Sequence, residues 1–394
     1  MNPARIVLAA AAFALVLKLA WAATSTGTND TVVFYLFGKL GSAEGLLELY
    51  SVDLFNHTPL VGTYVTAIFD LAKGKGQPFA FLLRAPGILA DFGAVLALLW
   101  LRRRTGQPPW WALILFALSP VSLMVSGYHG NVDSILAFAL VLTACGCVAR
   151  HAAFCGLAFA FALQIKIVPL LFAPALFVWW WQQGNARTFF LTTVFVTLAG
   201  WIVPLVAVPD KFIGNVLTYP SYWGSWGITM WCRMTGFADF QNVGFTGQTE
   251  IQRRVCSCLK AIIIGAALWL AWKRRACEAP GVFKTLALTW LVFFTFAPGF
   301  GPQYLVWLMP FVLVLSPRWY AILTLASSIF LYRFYDVISK GWPWHIGVST
   351  TELELRWVWW TVLPWFVLLA WTMVAIHEEF KPSDSLPAEP QLTS

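Results

Sequence analysis

The 394-residue sequence is poor in charged side chains. Only 11% of its residues are Asp, Glu, Lys or Arg, whereas soluble domains carry about 25%. Because 59% of the residues are hydrophobic, a soluble fold of this size would lack the polar side chains that normally cover a surface. The composition therefore excludes a soluble cytoplasmic enzyme, a disordered chain and a collagen-like fibre.

The sequence also lacks the marks of metal-binding, disulfide-stapled and barrel proteins. Among seven cysteines, Cys256 and Cys258 are too close together for a zinc pair, and Cys145 and Cys147 lie in an apolar run. We interpret the cysteines as buried small hydrophobes. The apolar runs are continuous rather than alternating, which disfavours a transmembrane barrel. The net charge of +8 is typical of Lys and Arg in cytoplasmic loops and does not indicate nucleic acid as a partner.

What the sequence has in abundance is long apolar segments. We expect the first, 5–23, to be an uncleaved span, although Ala20-Trp21-Ala22 at its end mimics a signal-peptide cleavage site. Several later segments are shorter than the ~20 residues of a membrane span, so we expect them to tilt or to lie where the bilayer is thinned. These later segments cover 58–72, 79–101, 110–126, 134–149, 152–165, 167–183, 188–208, 255–272, 283–297, 303–316, 319–338 and 356–376.

The positions of Lys and Arg predict the topology. If every apolar run crosses the membrane from a cytoplasmic N-terminus, the basic triplets 102–104 and 273–275 fall outside. If 58–72 only dips into the membrane, both triplets lie inside, as the positive-inside rule requires. We therefore predict an all-α bundle of about 12 spans, within a range of 11–13. It would form a single transmembrane domain over 1–376, with a short cytoplasmic tail over 377–394.

This topology collects the polar clusters on the extracytoplasmic face. That face carries a first outer loop, 24–56, with surface helices, and a long outer loop, 209–252. Polar residues at membrane depth are functional candidates. The uncharged stretch around 299–304 is broken by Gly and Pro, so its backbone should line a buried or watered cavity. The polar candidates are Asn29, Asp30, His57, His129, Asp133, Lys166, Gln303, Tyr304 and His345.

Several of these side chains have two interpretations. Asp30 could be a general base or the N-cap of a surface helix that starts near Thr31. A buried Lys166 would need an anionic partner such as a phosphate to keep its charge. Arg84 and Asp91, two turns apart in one helix, could form a buried ion pair.

A metal site is a further alternative. Its ligands would be His57, His129, Asp133 and His345, which are residue types that bind Zn²⁺ or Mn²⁺. No His pair at helical spacing supports it.

Six short motifs occur in a recognisable order. They are Asp30 after the first span, Phe-Asn-His-Thr-Pro-Leu (55–60), Leu-Arg-Ala-Pro-Gly-Ile-Leu-Ala-Asp (83–91), Tyr-His-Gly-Asn-Val-Asp-Ser (128–134), Gln-Ile-Lys-Ile-Val-Pro (164–169) and Pro-Gln-Tyr-Leu-Val-Trp-Leu-Met-Pro (302–310). In this order, over about residues 1–340, they resemble the glycosyltransferase C superfamily, and within it the mannosyltransferase-like, polyprenyl-phosphate-sugar-dependent branch.

The resemblance implies an inverting hexosyltransferase, with mannose as the sugar and a lipid-linked or glycan acceptor, acting on the extracytoplasmic face. Asp30 would be the general base. Because Asn29 stands where many relatives carry a second carboxylate, we expect transfer without a metal cofactor, with a divalent cation left open. The donor phosphate would bind Lys166, Arg84 and Arg333. Acceptor or sugar binding, or support of the base, would fall to Asn29, His57, His129, Asp133, Gln303, Tyr304 and His345.

Three alternatives stay open at this point. One is a non-catalytic scaffold that keeps the fold without the chemistry, against which the presence of Asp30 and Lys166 argues. A lipid-linked oligosaccharide polymerase or ligase would use basic residues of the long loop, such as Arg233 and Arg253. A polytopic transporter or flippase would need a pathway to both sides, whereas the ionisable residues cluster on one. We expect a bacterial inner membrane, with the endoplasmic reticulum as the alternative.

Overall fold

The computed structural model describes residues 2–218 and 221–381 of the chain. It is 78% helical and nearly all-α. The part of the predicted tail beyond residue 381 lies outside the described residues. The helices are α1 (Pro3–Thr24), α2 (Asn29–Glu44), α3 (Pro59–Leu71), α4 (Gly76–Thr105), α5 (Trp110–Ala117), α6 (Pro120–Met124), α7 (Asp133–Val148), α8 (Ala152–Leu163), α9 (Ala173–Gln182), α10 (Ala186–Ala207), α11 (Pro209–Phe212), α12 (Gly227–Met234), α13 (Glu250–Lys273), α14 (Gly281–Phe296), α15 (Leu305–Leu315), α16 (Pro317–Ile338), α17 (Thr351–Trp357) and α18 (Val362–Phe380).

Short turns of other geometry link these helices. Two π-helical turns cover Val125–His129 and Ile213–Leu217. Five 3₁₀ turns cover Glu48–Ser51, Val168–Phe172, Ala238–Phe240, Pro302–Tyr304 and Val358–Thr361. Strands β1 (Gly27–Thr28) and β2 (Ile346–Gly347) complete the structure.

The helix lengths confirm the prediction of a polytopic helical bundle. Among the described residues, seven helical segments are long and apolar enough to cross a membrane. They are Pro3–Thr24, Gly76–Thr105, Trp110–His129, Ala186–Ala207, Glu250–Lys273, Pro317–Ile338 and Thr351–Phe380. Six apolar segments are shorter: Pro59–Leu71, Asp133–Val148, Ala152–Leu163, Val168–Gln182, Gly281–Phe296 and Pro302–Leu315. Most of the predicted apolar runs therefore form helices near their predicted bounds.

The buried charges in the bundle are compensated between helices. The predicted pair of Arg84 with Asp91 does not form, because the two residues are about 10 Å apart along one helix axis. Asp91 instead accepts from Lys18 of α1 at 2.6 Å and from Ser122. Arg84 donates to backbone carbonyls at the end of α1, including that of Ala22 at 3.0 Å. Each charge gains a close partner, which a buried ionic group requires.

A parallel pairing between distant segments brings the loop after α1 against the end of the chain. Gly27 pairs with Ile346, and Thr28 with Gly347. Gly27 has φ +98°, and a Cβ there would lie 2.7 Å from the Tyr128 carbonyl oxygen. Only glycine fits this backbone conformation and this close approach. The start of α2 is thereby held against the π-turn that ends at His129.

Candidate active site

A cavity of about 850 Å³ opens between the start of α2, the π-turn, α13 and the 299–304 turn. The Gly- and Pro-rich break forms part of its wall, as its irregular backbone requires. One set of lining residues is polar and another is apolar. The polar set includes Asn29, Asp30, Asn56, His129, Lys166, Lys260, Gln303, Tyr304, Ser349, Thr350 and Glu354. The apolar set includes Leu170, Leu171, Pro174, Ile263, Ile264, Ala267, Leu268 and Phe293.

Asp30 lies in the first turn of α2 and is not its N-cap. The cap is Thr28, whose hydroxyl accepts from the Asp30 backbone N–H at 3.3 Å. The alternative interpretation of Asp30 as a cap is therefore wrong, because the helix starts two residues earlier than expected. A carboxylate in a first helical turn is stabilised by the helix dipole.

Three side chains hold one oxygen of the Asp30 carboxylate. Oδ2 lies 2.7 Å from Asn131 Nδ2, 3.1 Å from His129 Nε2 and 3.3 Å from Gln303 Nε2. Within the described parts of the chain, no hydrogen bond engages the other oxygen, Oδ1. The Asp30 side chain keeps 27% of its surface exposed. One oxygen is therefore fixed while the carboxylate stays accessible from the cavity.

The charge state of Asp30 follows from these neighbours. Burial raises the pKa of the Asp30 carboxyl, but the charges of His129 and Lys166 and the hydrogen bonds from His129 and Asn131 outweigh it. The net pKa lies below the ordinary range for aspartate, so Asp30 is ionised at neutral pH. An ionised, oriented carboxylate can accept a proton from a hydroxyl.

The backbone around residue 130 explains how His129 reaches Asp30. Gly130 has φ +87°, and a Cβ there would lie 2.0 Å from the Thr31 hydroxyl oxygen. The His129 carbonyl accepts from the Thr28 hydroxyl at 2.9 Å. On the far side of the imidazole, Nδ1 lies 3.0 Å from the Tyr335 hydroxyl.

Lys166 is fixed beside the cavity by an ion pair. Its Nζ lies 2.8 Å from Asp133 Oδ1, and the same oxygen accepts from Trp307 Nε1 at 2.7 Å. The ammonium also lies 4.7 Å from the Tyr304 ring centroid and 5.1 Å from that of Trp307. Asp133 is fully buried, and its Oδ2 has no hydrogen-bond partner among the described residues. The aspartate therefore supplies a counter-charge next to the Lys166 ammonium.

Besides Asp30, His129 and Lys166, the predicted site residues Asn29, Gln303 and Tyr304 line the cavity. The cavity lining does not include Arg84, Arg333, His345 or His57. Arg84 is bonded to carbonyls at the end of α1, and Arg333 lies on an exposed face of α16 over the Trp360 ring at 4.9 Å. His345 is exposed, with Nδ1 3.3 Å from the Thr24 carbonyl.

His57 is buried behind the cavity wall. Its ring packs on Phe34 and Phe55. Burial and the charge of Lys166 lower the pKa of His57 to about 3, so the imidazole is neutral. Of the three histidines proposed as metal ligands, only His129 lines the cavity. No group of three or more His, Cys, Asp or Glu side chains within residues 2–218 and 221–381 is placed to hold a metal ion.

Sequence reasoning missed Asn131 and Tyr335, which complete the surroundings of Asp30, and Lys260 of α13. Asn131 lies between two predicted candidates, His129 and Asp133, and its position in that motif was the available signal. For Lys260 the signal was a lone charge inside an otherwise apolar run, 255–272.

A second polar cluster joins Tyr222 and Glu354, which line the cavity, to Arg233. Glu354 accepts from Arg233 at 2.9 Å and from the Tyr222 hydroxyl at 3.1 Å. Arg233 was noted in the sequence as a basic residue of the long loop, whereas Tyr222 and Glu354 were missed; all three lie between predicted spans.

The fold and the cavity define a multi-pass integral membrane protein with an oriented carboxylate in a partly apolar pocket. Comparison with protein families gives a more specific assignment: the model of glycosyltransferase family 87 matches residues 59–298. The chain belongs to this family, which is of the GT-C type, and is a membrane glycosyltransferase that uses a sugar donor and an acceptor. The resemblance indicated by the six motifs is confirmed. No curated protein matches the chain.

The family match covers one part of the site. It includes His129, Asp133 and Lys166, whereas Asp30 and Gln303 lie outside it.

Proposed function

We propose that this glycosyltransferase moves a hexose from a polyprenyl-phosphate sugar to a lipid-linked or glycan acceptor. The resemblance of the six motifs suggests that the hexose is mannose. The observation that carries the proposal is the Asp30 carboxylate, held by three side chains at the polar part of the cavity. We place the reaction on the extracytoplasmic face of a bacterial inner membrane and expect it to need no metal cofactor.

The apolar part of the cavity supports a lipid-linked donor. Leu170 and Leu171 lie on one wall, and Ile263 and Ile264 lie on another. A nucleotide-sugar donor would place its polar groups against these apolar side chains. An isoprenoid chain would instead remove their apolar surface from water, which is favourable. Only the phosphate and sugar would need the polar residues.

In the proposed reaction, an acceptor hydroxyl attacks the anomeric carbon of the sugar as Asp30 takes its proton. The new bond joins the acceptor oxygen to the anomeric carbon, and the bond from that carbon to the phosphate oxygen breaks. The bonding electrons leave with the polyprenyl phosphate, and the proton passes from Asp30 to solvent. Attack from the side opposite the leaving group inverts the anomeric configuration.

The site residues would divide the remaining work. Asn131 and Gln303 orient the carboxylate through Oδ2, which leaves Oδ1 for the acceptor hydroxyl. Lys166 supplies positive potential near the leaving phosphate, as preorganised electrostatic stabilisation requires. Tyr304, stacked on Trp307 at 4.2 Å between ring centroids, offers an aromatic face to the sugar.

The test is sugar transfer by the purified protein in detergent. The donor is radiolabelled polyprenyl-phosphate mannose, the acceptor is a membrane lipid extract, and the wild type is compared with Asp30→Asn. We expect the variant to lose at least about a hundredfold in rate, the usual contribution of a general base. The matched control is Asp53→Asn, an exposed carboxylate outside the cavity, which should transfer like the wild type.

Three results would contradict parts of the proposal. Equal rates for wild type and Asp30→Asn would remove Asp30 as the base. Transfer of polyprenyl-phosphate glucose or arabinose in place of mannose would correct the sugar. If folded wild type used none of these donors, the polyprenyl-phosphate donor would be wrong.

A further inference from the structure

Lys260 is an unusual residue for its position. It stands about 15 Å along α13 from Glu250, near the middle of a helix long enough to span a membrane. It is the only charged residue between Arg254 and Lys273. Its side chain is exposed and lines the cavity. In the part of the chain that the structure describes, no ion pair or hydrogen bond engages its ammonium.

An unpaired charge at this depth is costly, and such residues mark binding sites or ion pathways. Other buried cations of the described chain have close partners: Lys18 pairs with Asp91 and Arg233 with Glu354, and Arg84 bonds to backbone carbonyls. Lys260 lines the cavity and has no such partner among the described residues. An anion that enters the cavity would supply one.

The residues that follow Lys260 on the same helix face describe the rest of that ligand. Ile263, Ile264, Ala267 and Leu268 also line the cavity. With Lys260 they occupy positions i, i+3, i+4, i+7 and i+8, which form one face of a helix. The face therefore presents one cation followed by two turns of apolar surface. This matches a phosphate attached to a long hydrocarbon chain.

Charge in the cavity also requires a cation besides Lys166. The positive charge of Lys166 is partly offset by Asp133 at 2.8 Å, and Arg84 and Arg333 do not line the cavity. A departing phosphate gains one negative charge as its bond to the sugar breaks. Lys260 carries a positive charge that no carboxylate in the described chain offsets.

We propose that Lys260 binds the phosphate of the lipid-linked donor and that the α13 face after it holds the first part of the donor's hydrocarbon chain. This assignment rests on the proposed function, because that function supplies the phosphate and the chain. It makes α13 the donor-binding helix, while Asp30 and its partners bind the acceptor hydroxyl.

Binding without transfer tests the assignment. Undecaprenyl phosphate and undecaprenol are titrated separately against the full chain in nanodiscs, and bound lipid is measured by native mass spectrometry. We expect the wild type to prefer the phosphate. Lys260→Gln should weaken undecaprenyl phosphate binding at least about tenfold, as loss of a charged hydrogen bond does, and leave undecaprenol binding unchanged. Lys260→Arg should restore most of the affinity.

The control variant is Arg254→Gln, which removes an exposed cation of the same helix that pairs with Glu250 and does not line the cavity. It should bind like the wild type. A parallel arm with inorganic phosphate as competitor separates a lipid site from a free-phosphate site, since only the latter would be emptied by millimolar phosphate.

The outcomes separate this inference from the proposed function. If wild type and Lys260→Gln bind undecaprenyl phosphate equally, Lys260 is not the phosphate site, while transfer dependent on Asp30 can still hold. If the wild type does not prefer the phosphate over undecaprenol, both the phosphate site and the polyprenyl-phosphate donor are wrong. Displacement by inorganic phosphate would overturn the lipid assignment.

Discussion

His129 bridges Asp30 and Tyr335. Its Nε2 lies 3.1 Å from Asp30 Oδ2, and its Nδ1 lies 3.0 Å from the Tyr335 hydroxyl. The imidazole therefore has one ring nitrogen at the carboxylate and the other at the tyrosine hydroxyl. The bond to Tyr335 fixes the ring orientation that places Nε2 against Asp30.

The first prediction concerns this bridge. Tyr335→Phe should lower kcat for sugar transfer about tenfold with little change in the KM values, because it frees the imidazole that orients Asp30 without touching a substrate. Steady-state kinetics measures it, with Tyr332→Phe, on an exposed position of α16, as the control. An unchanged kcat in Tyr335→Phe would mean that the tyrosine does not position the histidine.

The second prediction concerns pH. Because the pKa of Asp30 lies below the ordinary aspartate range, this carboxylate, the proposed base, stays ionised as the pH falls, and kcat/KM should decline only below that range. His129→Gln removes the imidazole charge and its hydrogen bond, so the pKa of Asp30 should rise and the acid limb should move to higher pH. The pH profile of kcat/KM for both proteins measures the shift.

Thermal stability of the same samples serves as the control for acid unfolding. The Asp30 interactions stabilise the fold above the carboxyl's unfolded pKa, and that stability is lost as the pH falls through the lower folded pKa. An acid limb that does not move in His129→Gln would show that another group controls it.

The third prediction concerns the Lys166–Asp133 pair. Asp133→Asn leaves a buried ammonium without its counter-charge and should destabilise the protein by about 3–5 kcal/mol. The double variant Asp133→Leu with Lys166→Met removes both charges and should recover much of this stability. Unfolding in detergent, followed by heat or denaturant, compares them. A double variant less stable than Asp133→Asn would contradict the pairing argument.

The fourth prediction concerns Glu354, which joins the loop residue Tyr222 to Arg233 at the cavity. Tyr222→Phe removes one of these bonds and should raise the acceptor KM a few-fold while kcat changes little, since the Tyr222 hydroxyl bonds to Glu354 and to none of the side chains that hold Asp30 in the described chain. Acceptor titrations at saturating donor measure the effect. A fall in kcat at constant KM would instead place Tyr222 in the chemical step.

The sequence predicts the helices well where hydrophobicity decides them. The run 5–23 becomes Pro3–Thr24, and 79–101 becomes Gly76–Thr105, because a continuous apolar run must satisfy its backbone internally. Where side chains compete for partners, the pattern is insufficient. Arg84 is conspicuous in the sequence, yet its bonds to helix-end carbonyls depend on how α1 crosses α4.

The site itself depends on contacts that spacing does not show. Asp30 meets Gln303 across 273 positions of the chain, and His129 across 99. Local pattern identifies these residues as polar but not which of them meet. Lys260 was missed for another reason. When hydropathy is averaged over a window, one charged residue among many apolar neighbours changes the mean very little.

The two-residue pairing of Gly27–Thr28 with Ile346–Gly347 also sets an order of assembly. Translation delivers Asp30 early and the β2 partner strand near the end. The ribosome must therefore make almost the whole described chain before the start of α2 can lock into place. A nascent chain that still lacks residue 346 carries Asp30 without its final restraint. Catalytic competence therefore comes late in biosynthesis, after the helices that enclose the cavity have been made.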